Sequence, residues 1–503
     1  MNKQISTHSP PDDTSLSLLT DLYQLTMAYG YWKLGMAERQ AVFHAYFRNH
    51  PFNGGYCISC GLSPMVDYLN NWRFSESDLA YLSGLKGNDG NPLFEDGFIR
   101  YLSDISFSCD VDAVREGTPV FAGAPTVRIR GPLLQAQLVE TAILNSVNFQ
   151  TLIATKTARI CRAAQGQPVY DFGLRRAQGA DGGISASRAC YIGGCDGTSN
   201  VLAGKRYGIP VRGTIAHSWV MAFGDERAAF DAYASVLPNN CVLLVDTYDT
   251  REGVENACRT GRRLEEMGHR FMGVRIDSGD LTYFSQEARK ILDAGGFPHA
   301  KIAASSDLDE YLIESLKNQK AAIDIWGVGT RMVTAYDQPA LNGVYKLSAI
   351  QNETGDWEPR IKVSEQLAKV TTPGILQVRR FYDGDRMVGD MIYDERSDVS
   401  GAVTMVDPLD ATRQKHFSAR VTHDDLLVPV FRKGEQIMAP ELDLSVIRER
   451  CRIELNRLHP ANLRITNPHT YPVGLESGLN EIRTHMIRTL RKHGVHGSSS
   501  YKE

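Results

Sequence analysis

The chain has 503 residues, 42% hydrophobic and 23% charged, an ordinary composition for a soluble globular enzyme and enough for two or three domains. Its net charge of −4 excludes a partner held by bulk positive charge, so no nucleic acid is expected, and only a local basic pocket remains open. No apolar run of about 18 residues exists to span a membrane, residues 1–19 lack an apolar leader, and nine scattered cysteines with a lone CxxC (Cys57, Cys60) read as reduced thiols of a cytoplasmic protein.

In chain order, residues 1–15 are expected to be disordered. Leu16 to Leu34 predict an amphipathic helix, with Leu18, Leu19, Leu22, Leu25 and Tyr29 at helical spacing. Ala41 to Phe47 predicts a strand, Asn53-Gly54-Gly55 a turn, and 61–72 and 92–103 predict helices. Thr118 to Ile129 reads as two short strands around Gly-Ala-Pro. Pro132 is then expected in the first turn of a long helix, about Leu133 to Ala164, where its missing N–H has no intrahelical partner.

From 168 to 330 a short apolar run ends six times on a polar or glycine-rich stub. The strand candidates are 168–172, 209–214, 241–246, 271–276, 301–305 and 323–327, mostly followed by helical stretches. Chemistry at the same end of every strand points to a β/α barrel, whose strand C-termini form one face. Six units fall short of the usual eight, so the barrel is expected to be irregular, with Val344 to Ile350 as one more candidate strand. Beyond about 355, segments such as Gln377–Tyr382 and Met391–Tyr393 predict antiparallel strands. Leu444–Leu458 predicts a charged helix, and the tail from about 492 is expected to be disordered. The expected organisation is therefore an α/β chain: disordered 1–15, an α/β domain begun by 16–164, an irregular β/α barrel over 165–350, the domain's remainder with a helical arm over 351–491, and a tail 492–503.

The stubs carry the candidate chemistry. Ser305-Ser306 and Gly327-Val328-Gly329-Thr330 end the last two strands. Glycine lets backbone N–H groups approach a phosphate, although a tight turn uses the same residues. Arg275 and Asp277 alternate onto one face of their strand. They read either as a structural ion pair or as two binding groups. In the second case Asp277 holds sugar hydroxyls or Mg²⁺ and Arg275 meets an anionic ring substituent through its forked donors. Arg175-Arg176, followed by Asp181-Gly182-Gly183, read as an anion clamp or as a solvated basic loop. Phe172 is core or a stacking face for a flat ring. His217, flanked by Thr214 and Ser218 at a strand end, is placed for nucleophilic or acid–base work.

The stretches TDLYQLTMAYGY (20–31), EGTPVF (116–121), DFGLRRAQGADGG (171–183), GTSNVLAGKRYGIPVRGTIAHS (197–218), DTYDT (246–250), RIDSGDL (275–281), SSDLDE (305–310) and WGVGT (326–330) together resemble the nicotinate phosphoribosyltransferases, over about residues 16–380. The resemblance implies a type II phosphoribosyltransferase fold, an irregular barrel joined to a second α/β domain of N- and C-terminal segments. It implies synthesis of nicotinate mononucleotide and pyrophosphate from nicotinate and phosphoribosyl pyrophosphate, coupled to ATP hydrolysis, with ATP and Mg²⁺ as cofactors, in a homodimer with shared sites. By the same resemblance His217 is the transiently phosphorylated histidine, and Tyr23 reaches the neighbouring subunit's site. Thr214 and Arg275 bind nicotinate, Phe172 stacks on the pyridine, and Asp277 holds the ribose. Arg175 lies near substrate and pyrophosphate, and Ser306, Gly327, Gly329 and Thr330 cradle the 5′-phosphate. No cysteine-rich C-terminal module exists to hold zinc. The competing readings are a nicotinamide phosphoribosyltransferase, a quinolinate-using enzyme and a non-catalytic phosphoribosyl-ligand binder.

Overall fold

The structure, a computed structural model, describes residues 15–439, 441 and 443–496. The disorder expected of residues 1–14 and 497–503 lies outside the described residues. The chain divides into two compact units: Met1–Leu152 with Ala340–Leu442 and Glu449–Glu503, and Ile153–Pro339 with Asp443–Arg448.

The second unit is built on six parallel strands: β1 (Val169–Asp171), β2 (Gly197–Thr198), β3 (Val242–Leu244), β4 (Gly273–Ile276), β5 (Lys301–Ser305) and β6 (Ile325–Val328). They lie in the order β2-β1-β6-β5-β4-β3. Helices such as Thr250–Glu266, Leu281–Ala294 and Glu310–Asn318 connect successive strands. The result is the irregular β/α barrel expected, with six strands in the sheet. Most apolar residues of these strands are shut away from water, Val274 and Ile276 on either side of Arg275 among them. That alternation turns Arg275 to the opposite face and puts Asp277, one step past the strand, on the same side. Strand β4 starts at Gly273 (φ +145), where a Cβ would stand 2.0 Å from the Lys301 carbonyl oxygen; only glycine allows β4 and β5 to approach so closely there.

Two sequence expectations shift in this unit. The predicted strand 209–214 is an extended segment joined to the sheet by the single bridge Thr198↔Val211, because Pro210 and Gly213 cannot sustain a ladder. Strand β2, only two residues long, carries no periodic signal and was not foreseen. The run Val344–Ile350 forms strand Gly343–Gln351, which pairs antiparallel with Gln40–Phe47 in the other unit.

That other unit holds two larger sheets. One is antiparallel, in the order Trp357–Pro359, Gly343–Gln351, Gln40–Phe47, Val127–Pro132, Asp110–Ala113, Val428–Arg432, Glu435–Gln436. The second joins Leu376–Asp383 and Arg386–Asp394 as an antiparallel hairpin, with Val473–Glu476 running parallel to Arg386–Asp394. The N-terminal helix is shorter than predicted, Leu22–Lys33, with turns before it. Pro132 ends a strand and caps the helix Leu133–Leu138, and a separate helix Glu140–Ala163 follows. The C-terminal helix, Ser477–His496, continues past 492. No helix among the described residues is long and apolar enough to cross a membrane.

Arg380, 0% exposed, anchors the second sheet of this unit. Its guanidinium donates to Asp390 at 2.7 and 2.8 Å and to the Pro119 carbonyl at 2.8 Å, and the Tyr471 hydroxyl donates to the same carboxylate at 2.8 Å. Asp390→Ala leaves that guanidinium buried without its counter-charge. The expected cost is about 3–5 kcal/mol, read as a lowered midpoint in urea denaturation; an unchanged midpoint would refute the pairing as an anchor.

Candidate active site

Arg275 is the centre of the strand-end cluster. Its Nε donates to Ser305 Oγ at 2.7 Å, one terminal nitrogen to Thr214 Oγ1 at 2.9 Å, and the other to Asp277 Oδ1 at 2.7 Å. Three stubs thus converge on one guanidinium: the end of β4 supplies it together with Asp277, β5 ends in Ser305, and the 211–216 segment supplies Thr214. Arginine has five N–H donors, so one on each terminal nitrogen is left for a ligand. The guanidinium carbon lies 5.5 Å from the centroid of the Phe172 ring. Phe172 is held by its backbone N–H on the Val328 carbonyl, 2.8 Å, and packs on Gly327, where a Cβ would stand 2.6 Å from the ring. A glycine at 327 is therefore the condition for the aromatic face at 172.

Asp277 accepts from Arg275 and Ser305 on Oδ1, and its Oδ2 lies 3.8 Å from His217 Nε2. Burial pushes its carboxyl up, but the Ser305 hydroxyl and the Arg275 charge outweigh burial and hold it below the usual carboxylate range. Asp277 is thus ionised at neutral pH. His217 opens the helix His217–Phe223, and its Nδ1 is 3.2 Å from Thr247 Oγ1. Asp246 braces the loop after β4, taking the Asp277 backbone N–H at 2.8 Å and the Ser278 hydroxyl at 2.7 Å on Oδ2. Its Oδ1 is buried with no hydrogen-bond partner among the described residues. Among the described residues no group of three or more His, Cys, Asp or Glu is placed to hold a metal unaided.

Phe172, Thr214, His217, Arg275 and Asp277 are joined by this chain of contacts, with Gly327 beneath Phe172. Ser306 follows Ser305 with φ +112, a conformation that a side-chain-bearing residue adopts only where its surroundings hold it. Gly329 and Thr330 open the turn after β6. Arg175 is exposed, and among the described residues its guanidinium reaches only the Phe172 carbonyl, 3.5 Å away. Tyr23 lies in the other unit, half exposed on helix Leu22–Lys33. Sequence reasoning marked the strand-end stretches that hold Ser305, Thr247 and Asp246 but gave these three residues no role of their own; the structure ties them into the cluster. Each is a polar residue at or just past the end of a parallel strand, so the signal was present. The further acids Asp249, Asp280 and Asp309 have another job: each caps the following helix by accepting a backbone N–H.

An arginine with two donors to spare lies beside an aromatic face, with serine and glycine loops at neighbouring ends of parallel strands, an arrangement compatible with the phosphoribosyltransferase class. Family-level comparison places the chain within that class. The nicotinate phosphoribosyltransferase (NAPRTase) N-terminal domain matches residues 18–148, the NAPRTase family 168–358 and its C-terminal domain 376–483. The chain belongs to the nicotinate phosphoribosyltransferase family. It is 45% identical over 470 residues to the nicotinate phosphoribosyltransferase of Bacillus subtilis, covering 92% of this chain and 93% of that one. With the human relative it is 34% identical over 525 residues, covering 92% and 95%. The crystal structure of human nicotinic acid phosphoribosyltransferase superposes with a TM-score of 0.80 at 31% identity, over 93% of this chain and 99% of that one. The nicotinate-nucleotide pyrophosphorylase of Pyrococcus furiosus shares the fold, with a TM-score of 0.69 at 21% identity, over 90% of this chain and 99% of that one. The C-terminal segment, in which the sequence reading found no motif, falls largely within the family's C-terminal domain.

Proposed function

We propose that this chain makes nicotinate mononucleotide and pyrophosphate from nicotinate and phosphoribosyl pyrophosphate, a step of NAD biosynthesis, and couples it to ATP through His217. The observation that carries the reading is the Arg275 guanidinium, pinned by Thr214, Ser305 and Asp277 with two donors left over beside Phe172. A carboxylate on a flat ring answers both features.

The pyridine nitrogen attacks ribose C1, and the bond from C1 to the pyrophosphate oxygen breaks, its electron pair leaving with pyrophosphate. The ring nitrogen is already a nucleophile, so the protein's part is positioning. Arg275 holds the carboxylate and Phe172 the ring plane, while the ionised Asp277 holds ribose hydroxyls and offsets the positive charge developing at C1. Ser306, Gly327, Gly329 and Thr330 receive the 5′-phosphate on backbone N–H groups and hydroxyls, and Arg175, free of carboxylate partners, meets pyrophosphate. Mg²⁺ prefers one or two carboxylates plus phosphate oxygens. The orphaned Asp246 Oδ1 and the neighbouring Asp277 Oδ2 fit that demand, and the ion would neutralise charge on the departing pyrophosphate. With Nδ1–H donated to Thr247, His217 keeps the Nε2 lone pair free. It takes the terminal phosphoryl of ATP there, ADP departs, and water later releases phosphate.

Helix Leu22–Lys33 supports a homodimer with shared sites. Leu22, Tyr23 and Met27 are exposed along it, as are Leu16 and Leu19 before it and Leu34 after it (74%), an apolar patch of the kind a second copy covers. Equimolar mixing of Tyr23→Ala and Arg275→Ala chains, each inactive alone, is expected to restore about a quarter of wild-type activity through hybrid dimers with one intact site; no rescue refutes the sharing. Nine cysteines, with no disulfide among the described residues, support a reducing, cytoplasmic setting. The central test is nicotinate mononucleotide formation by the purified protein, with and without ATP, nicotinate competing against nicotinamide. Nicotinate is expected to win, and ATP to raise turnover. Preference for nicotinamide sinks the substrate assignment, and indifference to ATP sinks the coupling.

A further inference from the structure

Helix Glu140–Ala163 carries a lysine, Lys156, that is 0% exposed. An ammonium group is buried so completely only where counter-charges surround it. Its two carboxylates come from different strand-end segments. Glu310 Oε2 lies 2.7 Å away and opens the helix that follows β5; Asp337 lies just past the short helix Thr330–Val333 that follows β6, and also touches Lys156 Nζ. The second oxygen of Glu310 takes Arg159 Nε at 2.8 Å. The second oxygen of Asp337 faces Arg331 at 3.4 Å, and Arg331 also lies 4.0 Å from Asp309, next to Glu310 in the chain. Contacts and chain therefore close a ring: Lys156, Asp337, Arg331, Asp309, Glu310 and back to Lys156. With Arg159 included, these contacts bring together three cations and three carboxylates among the described residues.

The ring joins the far ends of two loops whose near ends are already paired, since Ser305 and Gly327 are register partners across β5 and β6. Between those points lie Ser306 at φ +112 and the Gly329-Thr330 turn. A phosphate taken by both loops needs their donors at one separation, and displacement by about 1 Å is enough to lose it. Stability alone does not call for such a cluster, because buried ion groups replaced by apolar residues of like volume are often no less stable.

We infer that Lys156, through Glu310 and Asp337, is a positioning residue that locks the loops after β5 and β6 at the spacing the phosphoribosyl 5′-phosphate requires. The inference rests on the proposed phosphate role of those loops. It is tested on Asp337→Asn, since Asp337 is one-third exposed and the change leaves Lys156 paired with Glu310. Titration calorimetry with phosphoribosyl pyrophosphate, and KM for both substrates, are measured beside Asp337→Glu, Lys156→Met and Thr330→Ala. For Asp337→Asn the Kd and KM for phosphoribosyl pyrophosphate are expected to rise about tenfold, with KM for nicotinate and the Tm held. Lys156→Met is expected to give at least as large a rise, and Asp337→Glu to recover most of the loss. Unchanged affinity in Asp337→Asn, or equal loss for both substrates with a falling Tm and no rescue by glutamate, overturns the inference. If Thr330→Ala weakens binding while Asp337→Asn does not, only the clamp fails. If Thr330→Ala is also without effect, the phosphate role of the loops fails and takes the clamp with it.

Discussion

Arg275→Ala is expected to lower kcat/KM for nicotinate by roughly 10²- to 10⁴-fold, the equivalent of two charge-assisted hydrogen bonds at about 1.5–3 kcal/mol each. Two consequences compound in that variant. The carboxylate of the substrate loses both free donors, and Asp277 loses the charge that holds its carboxyl low. Once Arg275 is gone, the Ser305 hydroxyl still opposes burial, but the Asp277 carboxyl moves upward from its lowered position. The discriminating measurement is the ratio of kcat/KM for nicotinate to that for nicotinamide. Loss of the carboxylate's partner should collapse that ratio toward one, whereas damage to the phosphate loops would lower both rates and keep it. Arg275→Lys is not expected to rescue. A lysine has a single charged head and cannot reach Ser305, Thr214 and Asp277 while presenting two parallel donors. A ratio that survives the alanine change would mean that some other group reads the ring substituent.

His217→Ala is expected to abolish the stimulation by ATP while leaving a slower, ATP-independent synthesis, so the ratio of rates with and without ATP falls to one. The acid-labile phosphate formed on the wild-type protein with ATP alone should disappear in the same variant. On the proposed tautomer, with Nδ1–H donated to Thr247 Oγ1 across the 3.2 Å contact, Thr247→Val should reduce phosphorylation and leave ATP-independent synthesis unaffected. ATP stimulation that persists in His217→Ala would remove the histidine from the coupling. Equal loss of both activities would make it part of substrate binding, 3.8 Å from Asp277.

Much of this site was legible because strand-end chemistry is local. A buried strand is a short apolar run, and the residue after it must be polar, glycine or a helix cap. The stubs at 171–173, 246–249, 275–280, 305–309 and 327–330 could therefore be marked before any contact was known. Less legible was the work each polar residue does. Asp246 and Asp249 stand three apart in one stub, yet the first braces the loop after β4 and the second caps a helix. Ser305 rather than Ser306 bonds Arg275, because the last strand residue faces β4 while the next turns away at positive φ. Lys156 gave no signal, since a lysine in a helix that also carries Arg159 and Arg162 reads as one more solvated position.

The sequence by itself determined the family, the parallel strand–helix order and the residue types at the strand ends, because hydrophobic periodicity and long motifs are properties of neighbours along the chain. Only the tertiary structure decided that Arg275 is held by partners 2, 30 and 61 residues away, and that one buried ammonium ties two loops together. Those contacts depend on which strands lie side by side, β5 between β4 and β6, and lateral order is settled by the packing of whole elements, on which no single stretch of chain carries information.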